Sequence, residues 1–191
     1  MTKVLSTING TTINWDGVKI SYTSGLMVDG DGSPRCYAEH NKGLDYTANA
    51  GTPNNWWGIV TDGIGNPIIQ GPNDPAPGFY VSTTSLVHEE YKATNPKRYI
   101  NSEEVPYIVV PNSVRKAVPG KVLGCKATVT NTKTGKSAEA VVADIGPGNK
   151  IGEGSIALAV ALGINPDVRK GGTSDKIIRY EIFPSNMYVW K

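Results

Sequence analysis

The chain predicts a mainly β fold in a single domain spanning residues 1–191, and three observations carry that expectation. Gly and Pro number 22 and 13, more turn punctuation than a helical bundle tolerates. The apolar runs are mostly five or six residues long and are bounded by turn residues, as strands are. With 39% hydrophobic residues, the length suits one core, bare or with an attached lobe.

Taken in order, "TTINWDGVKISY" alternates polar and apolar residues around Asp16-Gly17 and reads as a hairpin. "GLMVDGDGSPRCYAEH" reads as a second strand-turn-strand. Residues 41–55 are rich in Gly, Asn, Thr and Pro, hence a loop. "WWGIVTDGIGNPIIQG" is a further hairpin with Asp62-Gly63 at its tip, followed by the proline-stiffened connection "GPNDPAP". A short helix is expected over residues 86–92, stopped by Pro96. "PYIVVPNSVRKAV" and "VLGCKATVTNTKTGKSAEAVVAD" supply three strands, the last two joined by a turn at Lys133-Thr134-Gly135. The clearest helix begins after Ser155, an N-cap residue, and ends at Gly163, with Ile156, Leu158, Ala159, Val160 and Leu162 at helical spacing. "DKIIRYEIFP" closes the domain as a strand.

Chemistry concentrates in "VVADIGPGNKIGEGSIALAVALGI". Asp144 follows a strand that is apolar on both faces, so it emerges at the rim of a packed sheet; Glu153 stands nine positions on, between two glycines and just before the helix. Glycosidic cleavage needs one acid to protonate the leaving oxygen and a second carboxylate to activate water or attack. The competing reading is turn chemistry at Asp144 and helix-dipole preference at Glu153. If Glu153 is the proton donor, burial or the charge of Asp144 must outweigh the pKa-lowering helix terminus.

Other classes of function find less support. The formal net charge is +2 with no Lys/Arg cluster longer than a pair, which argues against nucleic acid. Cys36 and Cys125 permit one disulfide or two core thiols and show no zinc spacing. Asp29-Gly30-Asp31-Gly32 fails the EF-hand pattern, and His40 and His88 have no Ser or Cys partner at a motif spacing. No segment approaches the roughly 18 apolar residues of a membrane span, and the N-terminus lacks a signal-like apolar core.

The segment "ADIGPGNKIGEGSIALA" resembles the catalytic segment of glycoside hydrolase family 75, the endo-chitosanases, in which an Asp and a Glu nine positions apart bracket a Gly- and Asn-containing loop. "GLMVDGDGSPRCY" and "PYIVVP" are similar to two further blocks of that family in the same order, so the likeness runs from about Lys19 to Phe183. The loop "IGPGNK" departs from the fungal pattern, which carries further Asn and Asp residues. The resemblance implies inverting hydrolysis of β-1,4-linked glucosamine polymers, with the base at Asp144 and the proton donor at Glu153. The same segment looks like the strand-Asp-x-Gly-Pro-helix signature of double-psi β-barrels, as in rare lipoprotein A, expansins and family 45 endoglucanases. That likeness implies a six-stranded barrel with loop and hairpin elaborations and one or two short helices.

Under this reading Asp29, Asp31, Glu39 and Asp62 pair with substrate ammonium groups, while Tyr37 and Trp57 meet sugar faces. The expected protein is a secreted, monomeric chitosanase acting on a polysaccharide, without cofactor, metal, nucleic acid or membrane partner. The alternatives are a non-catalytic, expansin-like binding barrel, a peptidoglycan-cleaving enzyme, and a structural domain of a surface or phage assembly.

Overall fold

A computed structural model describes residues 2–190. The fold is mainly β, a closed six-stranded barrel with two helices. The chain opens with a hairpin of β1 (Lys3–Ile8) and β2 (Thr11–Trp15), whose second strand turns at Asp16 into β3 (Ile20–Asp29). A long excursion follows, carrying the two-residue strands β4 (Gly51–Thr52) and β5 (Asn55–Trp56). The chain then returns through β6 (Tyr107–Pro111), α1 (Asn112–Arg115), β7 (Cys125–Asn131) and β8 (Ser137–Gly146). Last come β9 (Glu153–Ser155), α2 (Ile156–Ala161) and β10 (Thr173–Met187).

Around the barrel the order is β3, β10, β7, β8, β6, β9 and back to β3. The β8–β6 and β9–β3 pairs are parallel and the other four antiparallel. Full closure leaves no bare sheet edge among these six strands. Alternation decides what faces inward: β7 buries Cys125, Ala127, Val129 and Asn131 while the residues between them are half-buried. The interior holds Ile20, Leu26, Ile108, Val142, Leu158, Ile178 and Ile182. A second cluster of Ile100, Tyr107, Val109, Val141 and Ala143 lies outside the barrel wall, so β8 is covered on both faces, as its unbroken apolar run predicts.

Four expectations are corrected or resolved. "GLMVDGDGSPRCYAEH" is not a second strand-turn-strand: β3 runs straight on through Asp29, and residues 30–38 are turns and irregular chain. The helix over 86–92 does not form: Val87 is held extended in a bridge to Tyr99, with His88 N–H donating to Arg98 O (2.8 Å) and Leu86 N–H to Ala143 O (2.8 Å). The hairpin at Asp62 forms as a short irregular one, with Thr61 bridged to Pro67, Asp62 N–H donating to Asn66 O (2.9 Å) and Ile68 N–H to Val60 O (2.8 Å). Both cysteines are free and buried in different clusters, Cys36 with Tyr37, Ala50 and Ile59 and Cys125 in the barrel core. Among the described residues, no helix is long and apolar enough to cross a membrane.

Candidate active site

Three neighbouring strands place the two acids. Glu153 on β9 is in register with Val109 on β6, and Val109 is in register with Asp144 on β8. Residues opposite one another point to the same face, so both carboxylates flank Val109 on the outside of the barrel. Two strand spacings separate their backbones by about 10 Å.

A bulge makes this possible. Ile108 pairs with Val142, yet Val109 pairs with Asp144, which leaves Ala143 as an extra residue in β8. Regular alternation would turn Asp144 to the face opposite Val109; the extra residue restores it to the Glu153 face. Gly146, at the end of β8, keeps the space between them open: a Cβ there would stand 3.0 Å from Val109 Cγ1 and 3.5 Å from Glu153 Oε2. Gly148, two residues further, has nothing within 4 Å of such an atom. The glycines flanking Glu153 serve packing instead. Gly152 has φ +86°, and a Cβ on it would meet Ser24 Oγ at 2.3 Å; one on Gly154 would meet Leu158 Cδ2 at 2.7 Å.

The two acids have different surroundings. Asp144 Oδ1 accepts three hydrogen bonds, from Ser85 N–H (2.9 Å), Ser85 Oγ–H (2.5 Å) and Ile145 N–H (2.8 Å). Burial pushes its carboxyl up, and those donors pull it back by favouring the ionised form. Glu153 has no such donors. Burial raises its carboxyl, Lys150 opposes, and the charge of Asp144 adds to the rise. Glu153 lies in strand β9 and not in the first turn of α2, whose N-cap is Ser155, so the expected conflict with a helix terminus resolves in favour of burial.

Asp29 and Asp31 complete the acidic floor. Asp29 ends β3 and is 9% exposed; its Oδ1 accepts from Asp31 N–H (2.9 Å) and its Oδ2 lies 3.0 Å from the Tyr107 hydroxyl. That hydroxyl also lies 2.9 Å from Asp31 O. Asp31 Oδ1 accepts from the Tyr37 hydroxyl (2.7 Å) and from Ser82 Oγ–H (3.3 Å). Burial raises the carboxyls of both well above their usual range; Asp31 is the next largest influence on Asp29, and Asp144 on Asp31. One oxygen from each of Asp29, Asp31 and Asp144 lies within 4.8 Å of the other two, the single grouping among the described residues close enough to share a cation. Protons relieve the same repulsion.

These groups open on a cavity of about 1270 Å³. Its acids are Asp29, Asp31, Asp45, Asp144, Glu153 and Asp175, against one cation, Lys150. Trp57 is 63% exposed on the cavity wall, with its indole N–H donated to Asn49 O (3.1 Å). Tyr37 also lines the cavity but is 2% exposed and commits its hydroxyl to Asp31. Two predicted residues are not brought to the site. Glu39 is exposed in a short 3-10 turn, and Asp62 is exposed in its own loop, where Asn66 N–H and Ile64 N–H hold its carboxyl below the usual range. Glu39 and Asp62 are absent from the cavity lining.

Sequence reasoning passed over Ser85, Tyr107 and Lys150. Tyr107 sat inside the quoted block "PYIVVP" and Lys150 inside the acid-bearing loop; Ser85 carries no local signal, since its contact with Asp144 spans 59 residues. No protein-family model matches the chain. No curated protein matches it either.

Proposed function

We propose that the protein is an inverting glycoside hydrolase that cleaves β-1,4 bonds in glucosamine-rich polysaccharide, a chitosanase. The observation that carries this reading is the pair Asp144 and Glu153, flanking Val109 on one open face in contrasting surroundings. Glu153, half-buried and without stabilising donors, retains a proton to higher pH and is suited to protonate the leaving oxygen. Asp144, with three donors on Oδ1, is suited to remain ionised and to take a proton from water through Oδ2. Inversion needs a water between the base and the sugar, and the two acids stand on strands two spacings, about 10 Å, apart.

Substrate class follows from charge. The cavity wall holds six acids to one lysine; with Asp29 and Glu153 protonated, the acids that remain ionised still favour cationic ligands, and a glucosamine polymer carries an ammonium on each ring in mild acid. Asp31 and Asp45 line the cavity, and Trp57 offers an exposed ring for a sugar face.

The test is release of reducing ends from chitosan, chitin and peptidoglycan by wild type, Asp144→Asn and Glu153→Gln. Chitosan is cut fastest by wild type, and each variant loses roughly 10²- to 10⁴-fold in turnover while unfolding at or above the wild-type temperature. Folded variants that cut at the wild-type rate overturn the assignment. Wild type that binds chitosan without cutting it favours the expansin-like binding barrel; muropeptide products favour a peptidoglycan-cleaving enzyme.

A further inference from the structure

The segment Ser82-Thr83-Thr84-Ser85 belongs to no regular element, yet it is fixed at every step. Ser82 Oγ accepts from Gly32 N–H (3.0 Å) and donates to Asp31. Thr83 N–H donates to Gly58 O (3.1 Å). Thr84 Oγ1 donates to Leu86 O (2.7 Å) and accepts from Ile100 N–H (3.0 Å). Leu86 N–H then donates to Ala143 O, the residue immediately before Asp144. Ser85 is therefore clamped on both sides, and both of its donors converge on one oxygen of Asp144.

We propose that Ser85 is the positioning residue of the water-activating carboxylate: it locks Asp144 Oδ1 against the 82–86 segment and thereby presents Oδ2 to the cavity. This rests on the hydrolase reading above. Orientation within a fraction of an ångström is what a general base must have before it can accept a proton from a placed water. The two bonds have a second effect, because a donor to the charged form favours that form. Burial works the opposite way, and no charged side chain offsets it at Asp144. Asp29 and Asp31 lie beside it at the end of β3, Glu153 faces it from β9, and the Tyr107 hydroxyl from β6 sits between Asp29 and Asp31. The nearby cation, Lys150 of the β8–β9 loop, is felt at Glu153. Ser85 therefore supplies neutral stabilisation of a negative charge that burial disfavours.

The experiment compares wild type, Ser85→Ala and Ser85→Thr. Ser85→Ala keeps the backbone donor and loses the hydroxyl, so kcat on chitosan falls by roughly tenfold with KM unchanged. The acid limb of its kcat/KM profile moves up by about one pH unit. Ser85→Thr, which keeps the hydroxyl, restores both. A merely structural residue would alter stability without moving that limb. Independently of activity, the Asp144 carboxyl is titrated by carbon NMR, its signal identified by its loss in Asp144→Asn. A higher midpoint in Ser85→Ala is expected, and an unchanged midpoint overturns the inference. If that midpoint moves while wild type cuts no glycan, the hydrolase reading falls and the restraint on Asp144 stands.

Discussion

Tyr107 has one hydroxyl hydrogen and two acceptors within 3.0 Å, Asp29 Oδ2 and the Asp31 carbonyl. A single O–H serves one of them well, so the arrangement is satisfied when Asp29 brings its own proton and donates to the phenol oxygen, which donates onward to Asp31. Burial and the neighbouring acids push Asp29 in the same direction. Asn has the shape of that neutral acid: its amide can donate to Tyr107 and accept from Asp31 N–H. Asp29→Asn is thus expected to unfold within about 0.5 kcal/mol of wild type, whereas Asp29→Ala, which strands both partners, costs about 2 to 3 kcal/mol. Urea titration of both variants checks this, and equal losses would mean that Asp29 is ionised. The sequence drew Asp29 and Asp31 into the site through the turn "DGDG" without revealing that one of them is enclosed. That enclosure depends on Tyr107, 78 residues away, whose ring caps the turn from another strand.

At the scale of elements, α2 shows what local chemistry discloses and what it leaves out. Ser155 as its N-cap and Gly163 as its stop were legible, and the structure bears them out: Ser155 Oγ accepts from Leu158 N–H (3.1 Å), and Gly163 takes φ +69° after the helix. The same oxygen also accepts from Tyr107 N–H (2.9 Å) and donates to Val105 O (2.8 Å), ties that join α2 to the entry of β6. No local pattern encodes them. Ser155→Ala is accordingly expected to cost more than a cap, about 2 to 4 kcal/mol, read as a lower denaturant midpoint at unchanged slope. A loss below 1 kcal/mol would mean that water replaces the missing oxygen. Residues 86–92 failed as a helix for the converse reason: partners on β8 and at Arg98 outcompete a weak helical preference. The bulge at Ala143 was equally hidden, since only pairing with β6 reveals the extra residue.

Across the whole molecule, four acids with raised pKa sit in one cavity, and this sets how stability responds to pH. Folding favours the protonated forms of Asp29, Asp31, Asp144 and Glu153. Their contribution is complete below the unfolded values near about 4 and is lost as pH rises through the raised folded values. Asp16, Asp62 and Glu103 are held low and act in the other direction, but their contribution is lost only below about pH 4. Melting temperature should therefore fall as pH rises above the unfolded values near about 4 at fixed ionic strength; a flat or rising profile there would refute the protonated cluster. The β class and most strands were legible from turn residues and apolar runs. The barrel order was not, because its parallel pairs join β3 to β9 and β6 to β8 across long stretches of chain. Of those strands β9 is the shortest, three residues hydrogen-bonded to β3 on one side and β6 on the other. It is the seam at which the cylinder is stitched shut, and Glu153 is sewn into it. Loosening that stitch would displace the carboxyl before the rest of the wall came apart.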